Sequence, residues 1–165
     1  MTRALVVSDS HGYAAGLRMI AEDARRRFGA LDACLHCGDG AGDVKAVEAF
    51  LRAHDPKILI WQVRGNCDST GLWDVPVDRV VSLGGAQIYM THGHFVAVKS
   101  TLTVLEDDTL EHECSIGLFG HTHEPCMEMR RALLLNPGCA HMGQYLVLEI
   151  ENGKPVGIHL EQLKF

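Results

Sequence analysis

No apolar run in this chain approaches the ~20 residues that a membrane-spanning helix requires. Near the N-terminus the apolar run is only Ala4 to Val7, too short for the core of a secretory leader. A surplus of positive charge is also missing: 15 Lys and Arg face 21 Asp and Glu, a net charge of -6. A protein that grips long nucleic acid through its phosphate backbone would more commonly be basic, so no stable nucleic-acid binding is expected. A small phosphorylated substrate stays compatible, because a bound metal reverses the local charge. The chain shows no Pro- or Gly-rich linker, no repeat and no low-complexity segment. Cys34-x-x-Cys37 has no second CxxC to complete a zinc site and lies inside an apolar run, so two small buried strand residues are the simpler reading. The six cysteines are read as free thiols rather than a disulfide framework, since no leader precedes a core of this size. The cytoplasm is the expected compartment, with no membrane partner.

What is present suits one domain over residues 1–165, with 47% hydrophobic content. A chain of this length buries roughly 70% of its unfolded surface and needs no staples. The run 4–9 is short and β-rich, a buried strand. Tyr13, Leu17, Ile20, Ala24 and Phe28 then recur at helical spacing until Gly29. A strand at 31–39, a helix marked by Val44, Val47 and Leu51, and a strand at 57–66 complete an alternating, parallel α/β pattern. The second half differs. Gly84-Gly85 and Asn152-Gly153 mark hairpins, 126–138 reads as another, a helix is expected from about 96 to 110, and 115–120 is a short strand. Two packed sheets with helices outside would bury all of these elements.

In open α/β sheets, ligands gather beyond the carboxyl ends of the strands. Those ends carry Asp9-Ser10-His11, Gly38-Asp39, Gly65-Asn66-Cys67-Asp68, Thr91-His92-Gly93-His94 and Gly120-His121-Thr122-His123. Each alone has a plain structural reading: Asp9-Ser10 could cap a helix, Asp39 could serve a turn, and the histidines could be solvated. Five separate strand ends that all deliver metal-type donors are a different matter. Imidazole, carboxylate and amide oxygen suit zinc, manganese or iron more than calcium. Asp9, His11, Asp39, Asn66, His92, His121 and His123 exceed one tetrahedral site and fit two ions sharing a carboxylate. If the segment is extended, residues two apart face one side, so His121 and His123 would converge and Thr122 would turn away to packing or a supporting hydrogen bond. The glycines of GDGAGD do not make a nucleotide loop, because no Lys-Ser/Thr follows.

The ordered set D-x-H, GD, GN, THGH and GHTH, from Asp9 to Gly138, resembles the calcineurin-like metallophosphoesterases, in particular their compact bacterial and archaeal phosphodiesterase branch. The resemblance implies a four-layer αββα sandwich, with two mixed sheets flanked by helices. It implies that Asp9, His11 and His123 hold one ion, that Asn66, His92 and His121 hold a second, and that Asp39 bridges them. The ions would be Mn, Ni, Zn or Fe. The implied activity is hydrolysis of small phosphodiesters by a hydroxide bridging the ions, with phosphomonoester or phosphoprotein hydrolysis, or a non-catalytic protein-binding scaffold, as alternatives. Compact relatives also imply a homodimer. One departure matters: Cys67 stands where many members have a histidine that assists the leaving group. Cys67 itself, as a low-pKa thiol, His94 and Asp68 are the candidates for that role. Asp43 is expected to cap a helix, His36 to be packed, and Asn136-Pro137-Gly138 to form a turn near the site. Arg64 reads as a surface ion pair or, less simply, a phosphate contact. His54, His112, His141 and His159 match no ligand spacing.

Overall fold

The computed structural model describes residues 1–69 and 74–165. Chain order is β1 (Thr2–Val7), α1 (Ala14–Phe28), β2 (Ala33–His36), α2 (Ala41–His54), β3 (Leu59–Gln62), β4 (Asp78–Leu83) and β5 (Ala86–Thr91). Then follow α3 (Thr103–Glu111), β6 (Ile116–Leu118), β7 (Cys126–Met129), β8 (Leu133–Asn136), β9 (Gln144–Glu151) and β10 (Lys154–Gln162). The strands form two five-stranded mixed sheets, ordered β10-β9-β1-β2-β3 and β4-β5-β6-β8-β7.

Alternation along the strands produces the layers. Ala4 and Val6 of β1 join Ile88, Met90, Leu118 and Leu135 in a core between the sheets. Leu5 and Val7 face the other way, onto Leu17, Ile20 and Ala24 of α1 and Val44, Val47 and Leu51 of α2. Tyr89 and Leu134, on the outer face of the second sheet, pack with Leu105 of α3. The order is therefore helices, sheet, sheet, helix, as the resemblance implied. No helix of the described residues is long and apolar enough to cross a membrane. Cys34 belongs to the outer core and Cys37 to the inner one, so the CxxC pair points in opposite directions.

The halves of the chain do not map onto the sheets. The C-terminal hairpin returns to the first sheet, where β9 pairs antiparallel with β1. Its turn has Asn152 and Gly153 at φ 51 and 75, the left-handed pair that a two-residue hairpin favours. The expected helix at 96–110 is split. A 3-10 turn covers His94–Val96, Ala97 then takes φ 52, and α3 starts only at Thr103. The β-branched and polar run 98–101 has little helical preference to carry the helix across.

Each sheet holds three adjacent parallel strands: β1, β2 and β3 in one, and β5, β6 and β8 in the other. Parallel strands end on the same side. Their six carboxyl ends meet at one rim, and that rim positions the site.

Candidate metal centre

Beyond β1, the chain reverses direction at once. Asp9 and His11 lie at φ 57 and 45, and Gly12 at 84. Asp39 follows β2 at φ 58, and His121 and His123 follow β6 at 67 and 61. Five expected donors thus occupy the left-handed region, at about 1 kcal/mol each for a residue with a Cβ. This corrects the extended reading of GHTH. His121 and His123 converge because each sits in a tight left-handed bend, and their shared side does not come from strand alternation.

Neighbouring groups hold each carboxylate so that one oxygen stays available. Ser8 Oγ donates to Asp9 Oδ2 at 2.6 Å, and the His121 N–H donates to the same oxygen at 3.1 Å. Asp9 Oδ1 is left facing His123 Nε2 at 3.1 Å and His11 Nε2 at 3.4 Å. The two imidazole nitrogens are 3.2 Å apart. A tetrahedral ion bound at ~2.0–2.1 Å has donor-to-donor edges of about 3.3–3.4 Å, so this triangle fits a first-row divalent ion and is tight for calcium. Asp39 is arranged alike. Its Oδ1 accepts the Cys67 N–H at 2.7 Å, while Oδ2 lies 3.2 Å from His92 Nε2 and 4.0 Å from His11 Nε2.

His92 gives the clearest sign of a cation. It is fully buried. Its Nδ1–H donates to the Cys37 carbonyl at 2.8 Å, which leaves the Nε2 lone pair facing Asp39 and Asp9. Despite the short approach, Nε2 makes no hydrogen bond and is a buried orphan. A lone pair set against two carboxylates repels them unless a positive charge, a bound cation or a proton on Nε2, lies between. Burial pushes the His92 imidazole down, but Asp39 and Asp9 outweigh it and raise it overall. Burial likewise pushes the Asp39 carboxyl up, yet His92 and the Cys67 N–H hold it well below the ordinary carboxylate range.

His121 stacks edge-on to His92, with centroids 5.0 Å apart. Burial and the nearby His92 lower the pKa of its imidazole. Distances thus bring together Asp9, His11, Asp39, His92, His121 and His123. Asn66 is exposed at the same rim, and its amide donates to Cys67 Sγ at 3.4 Å. His94 is half-buried beside His92 and His121, at 5.4 and 6.1 Å between centroids. Burial and His92 lower its pKa, and its Nδ1 is buried without a partner. Burial and the Asp39 carboxylate raise the Cys67 thiol, against the low-pKa alternative.

Four supports were not foreseen. Asp68 accepts backbone N–H bonds from Asp39, Gly40, Ala41 and Gly65 at 2.8–3.1 Å, so it caps α2 from across the site. Both of its oxygens are engaged in these bonds. Asp43, expected to cap its own helix, instead accepts the Gly12 N–H at 2.9 Å and ties down the loop carrying His11. Asn136, fully buried at the end of β8, donates to the Gly120 carbonyl and to Thr122 Oγ1 and accepts from Gly138 N–H. That bond fulfils the expected supporting role of Thr122. His36, also fully buried, accepts the Gly38 N–H on Nδ1 and reaches Ser10 Oγ with Nε2. The strand-end rule pointed to Asn136, since β8 is another parallel strand of this rim. Glycines leave room for the carboxylates: a Cβ on Gly65 would lie 2.1 Å from Asp39 Oδ1, and one on Gly120 only 1.9 Å from Ser8 Oγ. Arg64 lines a cleft beside the site with Asn66 and His94. Of the remaining histidines, His54 and His112 bond carbonyls of their own helices, His159 meets Glu149, and His141 approaches the Ser10 carbonyl.

Two stacked mixed sheets, with imidazoles and carboxylates converging where their parallel strands end, define a class of metal-site αββα proteins. Residues 2–153 match the model of the calcineurin-like phosphoesterase superfamily domain, and the chain belongs to that superfamily. It is 32% identical over 155 residues to the probable metallophosphoesterase YsnB of Bacillus subtilis (strain 168), covering 90% of this chain and 84% of that protein. Among solved structures it is similar to a conserved uncharacterized protein of Streptococcus pneumoniae TIGR4 described as a predicted phosphoesterase. There the identity is 28%, the coverage 98% and 89%, and the TM-score 0.73. Vps29 of Entamoeba histolytica, in a single-mutant structure, has a TM-score of 0.75 at 22% identity, with 99% of each chain covered, and shares the fold.

Proposed function

We propose that the chain is a metal-dependent phosphoesterase acting on small phosphodiesters, with two divalent ions held by Asp9, His11, Asp39, Asn66, His92, His121 and His123. The roles follow the motif order: Asp9, His11 and His123 on one ion, Asn66, His92 and His121 on the other, and Asp39 between. When bound, such ions neutralise phosphate charge and make a water acidic enough to act near neutral pH. The protein's own groups do the rest. Ser8, the His121 N–H and the Cys67 N–H fix the carboxylates, so little reorganisation is needed as charge develops. His94 is placed to steady the departing oxygen. Burial and the neighbouring His92 lower its pKa, which favours the neutral ring as a hydrogen-bond donor. Cys67 suits that role less well, since a thiol S–H is a weaker hydrogen-bond donor than a ring N–H.

The observation that favours a diester is the room beside the donors. One cleft of about 310 Å³ is lined by His11, Asp39, Asp43 and Cys67. Another of about 210 Å³ is lined by Arg64, Asn66, His94 and Phe95. Two ester arms have two places to go. The novel archaeal phosphodiesterase among the structural neighbours, with a TM-score of 0.71 at 20% identity, agrees in fold alone. Turnover of bis-p-nitrophenyl phosphate should exceed that of p-nitrophenyl phosphate at least about tenfold, a barrier difference of about 1.4 kcal/mol. Faster cleavage of the monoester would overturn the diester assignment and favour a phosphomonoesterase. A second reading is a binding scaffold without hydrolysis, the alternative that the family resemblance also implied. Metal occupancy with no turnover of either ester would support it. A cytoplasmic location and a homodimer belong to this proposal too, the first checked by fractionation and the second by sedimentation.

A further inference from the structure

We propose that Cys67 Sγ is itself a ligand of the metal centre, joining the ion held by His11 and Asp39 and tilting the site toward thiophilic ions such as zinc or cobalt(II). This rests on the metal-centre reading above and adds a donor that the motif resemblance does not supply.

The geometry carries it. One donor atom each from His11, Asp39 and Cys67 lie within 4.8 Å of one another. An ion with nitrogen and oxygen at ~2.0–2.1 Å and sulfur at ~2.3 Å needs sulfur edges of about 3.5–3.6 Å, so the exposed Cys67 side chain would turn inward on binding. The backbone at residue 67 is anchored to Asp39, because its N–H donates to Oδ1 at 2.7 Å. The close approach of Gly65 to that carboxylate fixes the same turn. Sulfur already receives the Asn66 amide at 3.4 Å, the kind of donor that steadies a metal thiolate. From the other side, the buried His92 Nε2 has no hydrogen-bond partner and lies 3.2 Å from the same carboxylate, where a bound cation would satisfy it. On ligation the sulfur–metal bond forms and the thiol proton leaves to solvent, with no change of oxidation state. Thiolate prefers zinc or cobalt to manganese or magnesium, which take oxygen donors more readily.

The test uses the full chain, stripped of metal and loaded with cobalt(II), beside a Cys67→Ser variant. Visible d–d bands report that cobalt is bound, and a near-ultraviolet sulfur-to-cobalt charge-transfer band reports a thiolate ligand. The expected result is d–d bands in both proteins and the charge-transfer band in the wild type alone. Competition should also show that the preference for zinc over manganese is about tenfold larger in the wild type than in Cys67→Ser. Cobalt bound without the charge-transfer band, or one that persists in the variant, would overturn the ligand and leave the metal centre standing. Absence of d–d bands from both proteins would overturn both readings.

Discussion

Replacing Asp68 by alanine removes one carboxylate and strands four amides. The N–H groups of Asp39, Gly40 and Ala41 open α2, and that of Gly65 lies in the next ligand turn. A carboxylate at a helix N-terminus is worth about 0.3–1 kcal/mol through the dipole alone, and charge-assisted hydrogen bonds add about 1.5–3 kcal/mol each where water is excluded. Asp68 is only half-buried, so water takes over part of this work. We therefore expect a loss of about 2–4 kcal/mol, well below the sum of four bonds. Asp68→Asn, which keeps one acceptor oxygen, should lose about half as much. Urea unfolding of metal-stripped protein measures this directly. Because the carboxylate joins the Asp39 turn to the Asn66 turn, both variants should also weaken manganese binding about tenfold or more, read by calorimetry. A loss under about 0.5 kcal/mol with unchanged metal affinity would refute the staple.

Three further outcomes follow from the same structure. Asn136→Ala strands the buried N–H of Gly138 and removes one of the two donors to the Gly120 carbonyl, which keeps the Thr122 N–H. It should cost about 2–4 kcal/mol in urea unfolding and lower turnover about 10–100-fold through the loosened histidine loop. Gly120→Ala puts a Cβ 1.9 Å from Ser8 Oγ and 2.7 Å from Asp9 Oδ2. It should weaken metal binding about tenfold, and unchanged affinity by calorimetry would show that the approach is not needed. Burial pushes His36 from its ordinary 6.5 down to about 4. The unfolded chain therefore takes up a proton that the fold refuses, so this stability is complete above pH ~6.5 and is lost as pH falls toward ~4. Metal-stripped protein should lose about 2 kcal/mol from this residue between pH ~7.5 and ~5.0, and His36→Gln should flatten that slope in paired urea titrations.

The candidate site cluster was legible because strand ends concentrate function and because GD, GN, THGH and GHTH each set a metal-type side chain beside a glycine. The layers were legible from alternation, as in Ala4 and Val6 against Leu5 and Val7. The way the donors converge was not. A left-handed bend at His121 or Asp39 leaves no sign in composition, since neither residue is a glycine. Long-range supports were hidden for a related reason. Asp68 acts on amides up to 29 positions away, which no local pattern announces; the strand-end rule placed Asn136 near the site without showing that it holds a carbonyl 16 positions away. Nor did the Asn152-Gly153 hairpin reveal which sheet it would join, because its own alternation fits either.

The central claim is a two-ion site that turns over phosphodiesters. Its most direct test is the rate of bis-p-nitrophenyl phosphate hydrolysis as manganese is added, one equivalent at a time, to metal-stripped protein. A two-ion site gives a rate near background without metal, rising to a plateau at about two equivalents per chain. A rate that stays at background after both equivalents have bound would contradict it.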